Sequence, residues 1–105
     1  MGWSISHAPY GEIVYRSATQ LTNLGSQVAH VSSARDWRVV LPLFDRVQRA
    51  TGPFEITWAE AGRMADVLKL AACHSRMPDD WGQFAHQLAD AADTAAKQRE
   101  PWLWR

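Results

Sequence analysis

The sequence holds a single cysteine, Cys73. No disulfide can form within the chain, and one soft ligand cannot build the usual structural zinc set of Cys and His. Net charge is also missing, because eleven basic residues balance eleven acidic ones. No global field exists to gather nucleic acid or an anionic membrane. No apolar run approaches the roughly 20 residues of a membrane span, and Met1-Gly2-Trp3-Ser4 lacks the basic start and apolar stretch of a signal peptide. A cytoplasmic address is therefore expected. There is no internal repeat, no glycine-rich phosphate loop, no nucleophile motif and no metal signature. These absences weigh against an enzyme and imply no cofactor.

What remains is a globular composition. The chain has 105 residues, of which 47% are hydrophobic and 21% charged, too apolar and too weakly charged for a disordered chain. That length suits one domain with one modest core. Six tryptophans stand out for so short a chain, and they divide into three inside expected helices and three near the chain ends.

Local patterns predict a small α+β fold spanning residues 1–105. Strand-forming residues at Trp3 to Ser6 and Glu12 to Tyr15, around a Pro9 and Gly11 turn region, predict a short hairpin. Ser17 and Gln20 form a capping box before the apolar series Leu21, Leu24, Val28 and Val31, which predicts a helix over about 18–31, weakened by Gly25. Ser33 caps a second helix carrying Trp37, Val40, Leu41, Phe44 and Val47, bent at Pro42 and ending before Gly52-Pro53.

Phe54 to Ile56 is a further strand candidate. Thr57 and Glu60 then open a third helix over about 58–75, burying Trp58, Ala61, Met64, Ala65, Leu68, Ala71 and Ala72. Pro78 stops it, and Asp79 or Asp80 caps a fourth helix with Trp81, Phe84, Leu88, Ala91, Ala92 and Ala95 inward. The last two helices form a hairpin. Residues 100–105 alternate bulky side chains after a helix stop, as a final strand or a docking arm.

Four sets of residues are chemical candidates. Cys73 and His74 adjoin in sequence, but at roughly 100° per residue on a helix they point in different directions, Cys73 falling beside Asp66 and Lys69. His74 and Arg76 then serve the helix carboxyl end. His86, Asp90, Asp93 and Lys97 share one polar stripe, where a histidine and a carboxylate at i,i+4 can share a metal or a proton. A solvated face with i,i+4 charge pairs explains the same spacing. His7, close to Tyr10 and Glu12, offers an acid and base pair at a turn. On the second helix Arg35, Arg38, Arg46 and Arg49 can meet phosphates, although Asp36 and Asp45 interleave with them. The fourth helix has Asp90 and Asp93 on its outer face, which argues against insertion in a DNA groove.

Of the tryptophans, Trp37, Trp58 and Trp81 each sit early in a helix on its apolar side and read as core anchors. Trp3, Trp102 and Trp104, with Arg105, lie at the chain ends. Aromatic residues and arginine are the types enriched at binding hot spots.

The motifs GWSISH, ARDW, MPDDW and PWLWR resemble a small actinobacterial single-domain family of unknown function, over nearly the whole chain. The resemblance implies a cytoplasmic, bacterial or phage-related setting and brings no activity, ligand or catalytic residue.

The reading that follows is a non-enzymatic protein-interaction or regulatory domain. Its contacts are Trp3, Trp102, Trp104 and Arg105 with the adjacent sheet edge, and its partner is another protein or a second copy. The alternatives are a small metal-dependent or acid-base enzyme using His86, Asp90 and Asp93, and nucleic-acid binding through the arginine face of the second helix.

Overall fold

The structure, a computed structural model, describes residues 2–6 and 14–105. The sequence candidates His7, Tyr10 and Glu12, and the turn at Pro9 and Gly11, lie outside the described residues. Along the chain run strands β1 (Gly2–Ser6) and β2 (Val14–Ser17), helices α1 (Ala18–Val31) and α2 (Ala34–Arg49), strand β3 (Phe54–Ile56), helices α3 (Trp58–Ala72) and α4 (Asp79–Gln98), and strand β4 (Trp102–Trp104). This is the expected α+β order, with the tail resolved as a strand rather than an arm.

Three helix starts follow from side-chain caps. Ser17 accepts from Gln20 N–H at 3.0 Å while Gln20 accepts from Ser17 N–H at 3.0 Å, closing the expected box on α1. Ser33 accepts from Asp36 N–H at 3.1 Å and Thr57 from Glu60 N–H at 3.3 Å. Each cap satisfies a donor the first turn would otherwise leave open. The fourth start differs from expectation. Pro78 itself occupies the N-cap of α4, no side chain caps it, and Asp79 and Asp80 lie inside the first turn. There their charges favour the helix dipole instead of bonding its amides.

Helix α3 also stops earlier than expected. Ala72 is its last residue, and Cys73, with φ −92° and ψ 0°, is its C-cap. Helix α2 runs unbroken through Pro42 and buries Val40, Leu43, Phe44 and Val47, while Leu41 is exposed. Leu43 thus takes the place the periodicity assigned to Leu41.

The sheet order is β2-β1-β4-β3, every pair antiparallel. The last strand therefore lies in the middle, between β1 and β3, with Ile5 opposite Trp104 and Phe54 opposite Trp104 on its two sides. Alternation puts Trp102 and Trp104 on one face with Trp3, Ile5, Phe54 and Ile56. That face packs on the helices, and the core joins Ile5, Ile56, Trp102 and Trp104 to Leu21, Leu24, Val28, Leu43, Leu68 and Leu88.

Close helix packing depends on glycines. A Cβ on Gly25 would stand 3.0 Å from the Phe44 ring, and one on Gly82 would stand 3.0 Å from the Ala72 carbonyl oxygen. The Gly25 that weakens α1 by propensity is the residue that lets α2 approach it.

Candidate functional site: the cleft between the chain ends

Strand pairing brings the two ends of the chain together. Ser4 N–H donates to Arg105 O at 2.7 Å, and Arg105 N–H donates to Ser4 O at 2.9 Å. Beside this pair, Trp3 and Arg105 line a cleft of about 310 Å³ whose other wall is Val47, Ala50 and the Thr51 to Pro53 turn. Trp3 is half-buried, held edge-to-face against Phe54 at 5.1 Å and Trp104 at 6.3 Å. Arg105 is exposed and is the only charged residue of the lining among the described residues.

Trp102 and Trp104 are elsewhere. Both are 0% exposed, so in this fold their rings pack the domain's own core and offer no surface to a partner. The physical reason is the central place of β4, which has a strand on each side and helices over the face both rings share. Their indole N–H groups have no hydrogen-bond partner among the described residues. The two rings meet edge-to-face at 5.1 Å and 74°, a geometry in which the positive edge of one aromatic meets the negative face of the other.

The sheet edges are partly covered by side chains. Because Ser4 exchanges both main-chain bonds with Arg105, the alternation of an antiparallel ladder turns the main chain of Tyr15 and Ser17 on β2, and of Glu55 on β3, toward the free edges. Side chains occupy three of those groups. Arg46 donates to Glu55 O at 3.0 Å, Arg16 to Tyr15 O at 2.7 Å, and Ser17 N–H to Gln20. Such cover is how native sheets avoid pairing with other chains.

A second concave surface lies at the corner between α3 and α4. Cys73, His74, Ser75, Met77, Asp79 and His86 line an open groove of about 710 Å³. His74 lies beyond the helix, so the expected helical divergence from Cys73 does not apply, and both residues line one groove. Arg76 N–H donates to His74 Nδ1 at 3.0 Å, which fixes the ring against the turn with Nδ1 as the accepting nitrogen. Cys73 is exposed. The Lys69 ammonium expected beside it instead pairs with Asp93 at 3.3 Å.

The polar stripe on α4 is divided. His86 Nε2 and Asp90 lie 3.5 Å apart, both exposed. Asp93 is drawn to Lys97 at 2.9 Å and to Lys69 across the helix pair. The Lys97 hydrogen bond, against the opposing effect of partial burial and helped by Lys69, holds the Asp93 carboxyl below the usual carboxylate range. Asp93 in turn raises the Lys97 ammonium. Among the described residues no group of three or more His, Cys, Asp and Glu side chains is placed to hold a metal ion. On α2, Arg49 pairs with Asp45 at 2.9 Å, and Arg46 is held by Glu55 O and lies over Phe54 at 5.7 Å. Half of the expected arginine face is thus engaged inside the chain.

The family model described as Domain of unknown function (DUF7739) matches residues 11–105. The chain belongs to this family. No curated protein and no solved structure matches it. Of the cleft, the DUF7739 span contributes Arg105, Val47 and the turn at 51–53, while Trp3 stands on β1, ahead of the matched residues. Sequence reasoning found Trp3 and Arg105 by residue type. It missed the α2 end and the turn as the opposite wall; the only local signal there was Gly52-Pro53, which reads as a helix stop. No helix among the described residues is long and apolar enough to cross a membrane.

Proposed function

We propose that this domain is a non-enzymatic binding module that docks a partner protein in the cleft where the chain ends meet, in a bacterial cytoplasm. The observation that carries the reading is the cleft itself. It sets a half-buried tryptophan and an exposed arginine around an apolar hollow, and those two residue types dominate interface hot spots. The contacts are Trp3 and Arg105. Trp104 supports the cleft from behind, through the ring stack on Phe54 at 5.6 Å and the edge contact with Trp3, and Trp102 backs Trp104.

Gly52 provides the test. It lines the cleft, and a Cβ built there meets nothing within 4 Å, so Gly52→Trp is expected to set a bulky ring at the cleft wall with the fold retained. Affinity purification from native cells is expected to recover a partner with the natural chain and to lose it with Gly52→Trp. Recovery of the same proteins by both chains removes the proposal.

A second reading, acid-base or metal chemistry, has one observation in its favour: Cys73, His74 and His86 share the α3–α4 groove. It predicts stoichiometric zinc or manganese binding that disappears in His86→Ala. Calorimetry showing no heat with either metal ends it.

A further inference from the structure

A second, wider groove of about 610 Å³ shares Gly2 and Trp3 with the cleft and is lined further by Ser4, Tyr15, Arg16, Ser17 and Gln20. Among the described residues the two linings together contain two arginines and no Asp or Glu, in a chain that carries as many acids as bases. On neighbouring α2, Asp45 is neutralised by Arg49. Arg16 is committed to Gln87 and to Tyr15 O, so it contributes field and not a free donor. The Arg105 guanidinium has no partner among the described residues, its main-chain N–H and O being the atoms that bond to Ser4.

We infer that cleft and groove together bind an extended acidic segment of the partner protein, with one apolar side chain in the cleft against Trp3 and Val47 and a flanking carboxylate on Arg105. The inference rests on the protein-docking reading above and names the partner's chemistry. A hollow of about 310 Å³ equals roughly ten water volumes of about 30 Å³ each, which is room for one bulky side chain. The segment is recognised by side chains rather than by strand addition, because Arg46, Arg16 and Gln20 already hold Glu55 O, Tyr15 O and Ser17 N–H on the two sheet edges. A guanidinium meets a carboxylate with two parallel hydrogen bonds, and a charge at the rim selects partners and speeds encounter more than it adds affinity.

The test is selection of short random peptides displayed against the full natural chain, Gly52→Trp, Arg105→Glu and Arg105→Ala, after circular dichroism has confirmed that all four are folded. The expected result is a set of peptides retained by the natural chain, lost by Gly52→Trp, and carrying one apolar residue flanked by Asp or Glu. With Arg105→Glu the flanking preference turns to Lys or Arg, and with Arg105→Ala the acidic peptides bind roughly fivefold more weakly, the upper range of an exposed ion pair. Peptides that depend on the cleft but show no acidic flank overturn this inference and leave the docking reading standing. No cleft-dependent peptide at all overturns both. Retention of a single-stranded RNA homopolymer that disappears with Gly52→Trp overturns it in favour of a nucleic acid.

Discussion

Two groups of tryptophan occupy opposite environments. Trp102 and Trp104, at the end of the chain, are 0% exposed, whereas Trp58, the first residue of α3, is 44% exposed beneath the Arg99 guanidinium at 5.6 Å. Trp37 and Trp81, also early in helices, are half-buried and stack on Phe44 at 5.8 Å and Phe84 at 6.2 Å. Position along the chain points the other way, toward free ends and anchored helices. What decides burial is how many neighbours an element has: β4 has a strand on both sides and helices above, while the first turn of a helix overhangs the layer it packs on. Trp58 also lies roughly 90° from the centre of the buried stripe of α3, which puts it at the stripe's border.

The largest expected effect is Trp104→Ala, which should destabilise the domain by about 3–5 kcal/mol, the usual loss for emptying a large core site. Thermal unfolding checks it, and a loss under about 1 kcal/mol would break the contrast with the helix-borne rings. Next is Gly25→Ala. The new methyl would stand 3.0 Å from the Phe44 ring on which Trp37 stacks, so overpacking of about 1–3 kcal/mol should outweigh the helix-propensity gain. Near-ultraviolet circular dichroism should change with it, because Trp37 has to move with Phe44.

Trp58→Ala should cost only about 1 kcal/mol, since it removes a partly exposed ring and one cation–π contact; chemical denaturation places it beside Trp104→Ala. Asp93→Asn should have the smallest effect, a drop in melting temperature of about 2–4 °C at neutral pH. Its pH dependence is the sharper part. The Asp93 carboxyl is depressed in the folded state, so its contribution is fully present above the ordinary carboxylate range and is lost as pH falls through the folded value. The natural chain and Asp93→Asn should therefore converge in stability in strong acid.

The legible parts of the fold were those written in adjacent residues. Ser17 with Gln20, Ser33 with Asp36 and Thr57 with Glu60 act within one turn, and each cap formed where the spacing put it. The start of α4 was misread because Pro78, already a helix stop, also took the cap position that an aspartate was expected to fill. The sheet order was not legible. It depends on β4 inserting between β1 and β3 from the far end of the chain, and no local pattern carries that pairing. Half of the candidate site was readable from residue type, in Trp3 and Arg105. The Val47 to Pro53 wall needed the fold, and so did the burial that removes Trp102 and Trp104 from the surface.

The central claim is that the tail is core and that binding belongs to the cleft beside it. Gly52→Trp tests this most directly when partner recovery and melting temperature are measured on the same protein. The account predicts a melting temperature within about 2 °C of the natural chain together with complete loss of the partner. A variant that melts normally and still retains the partner would contradict it.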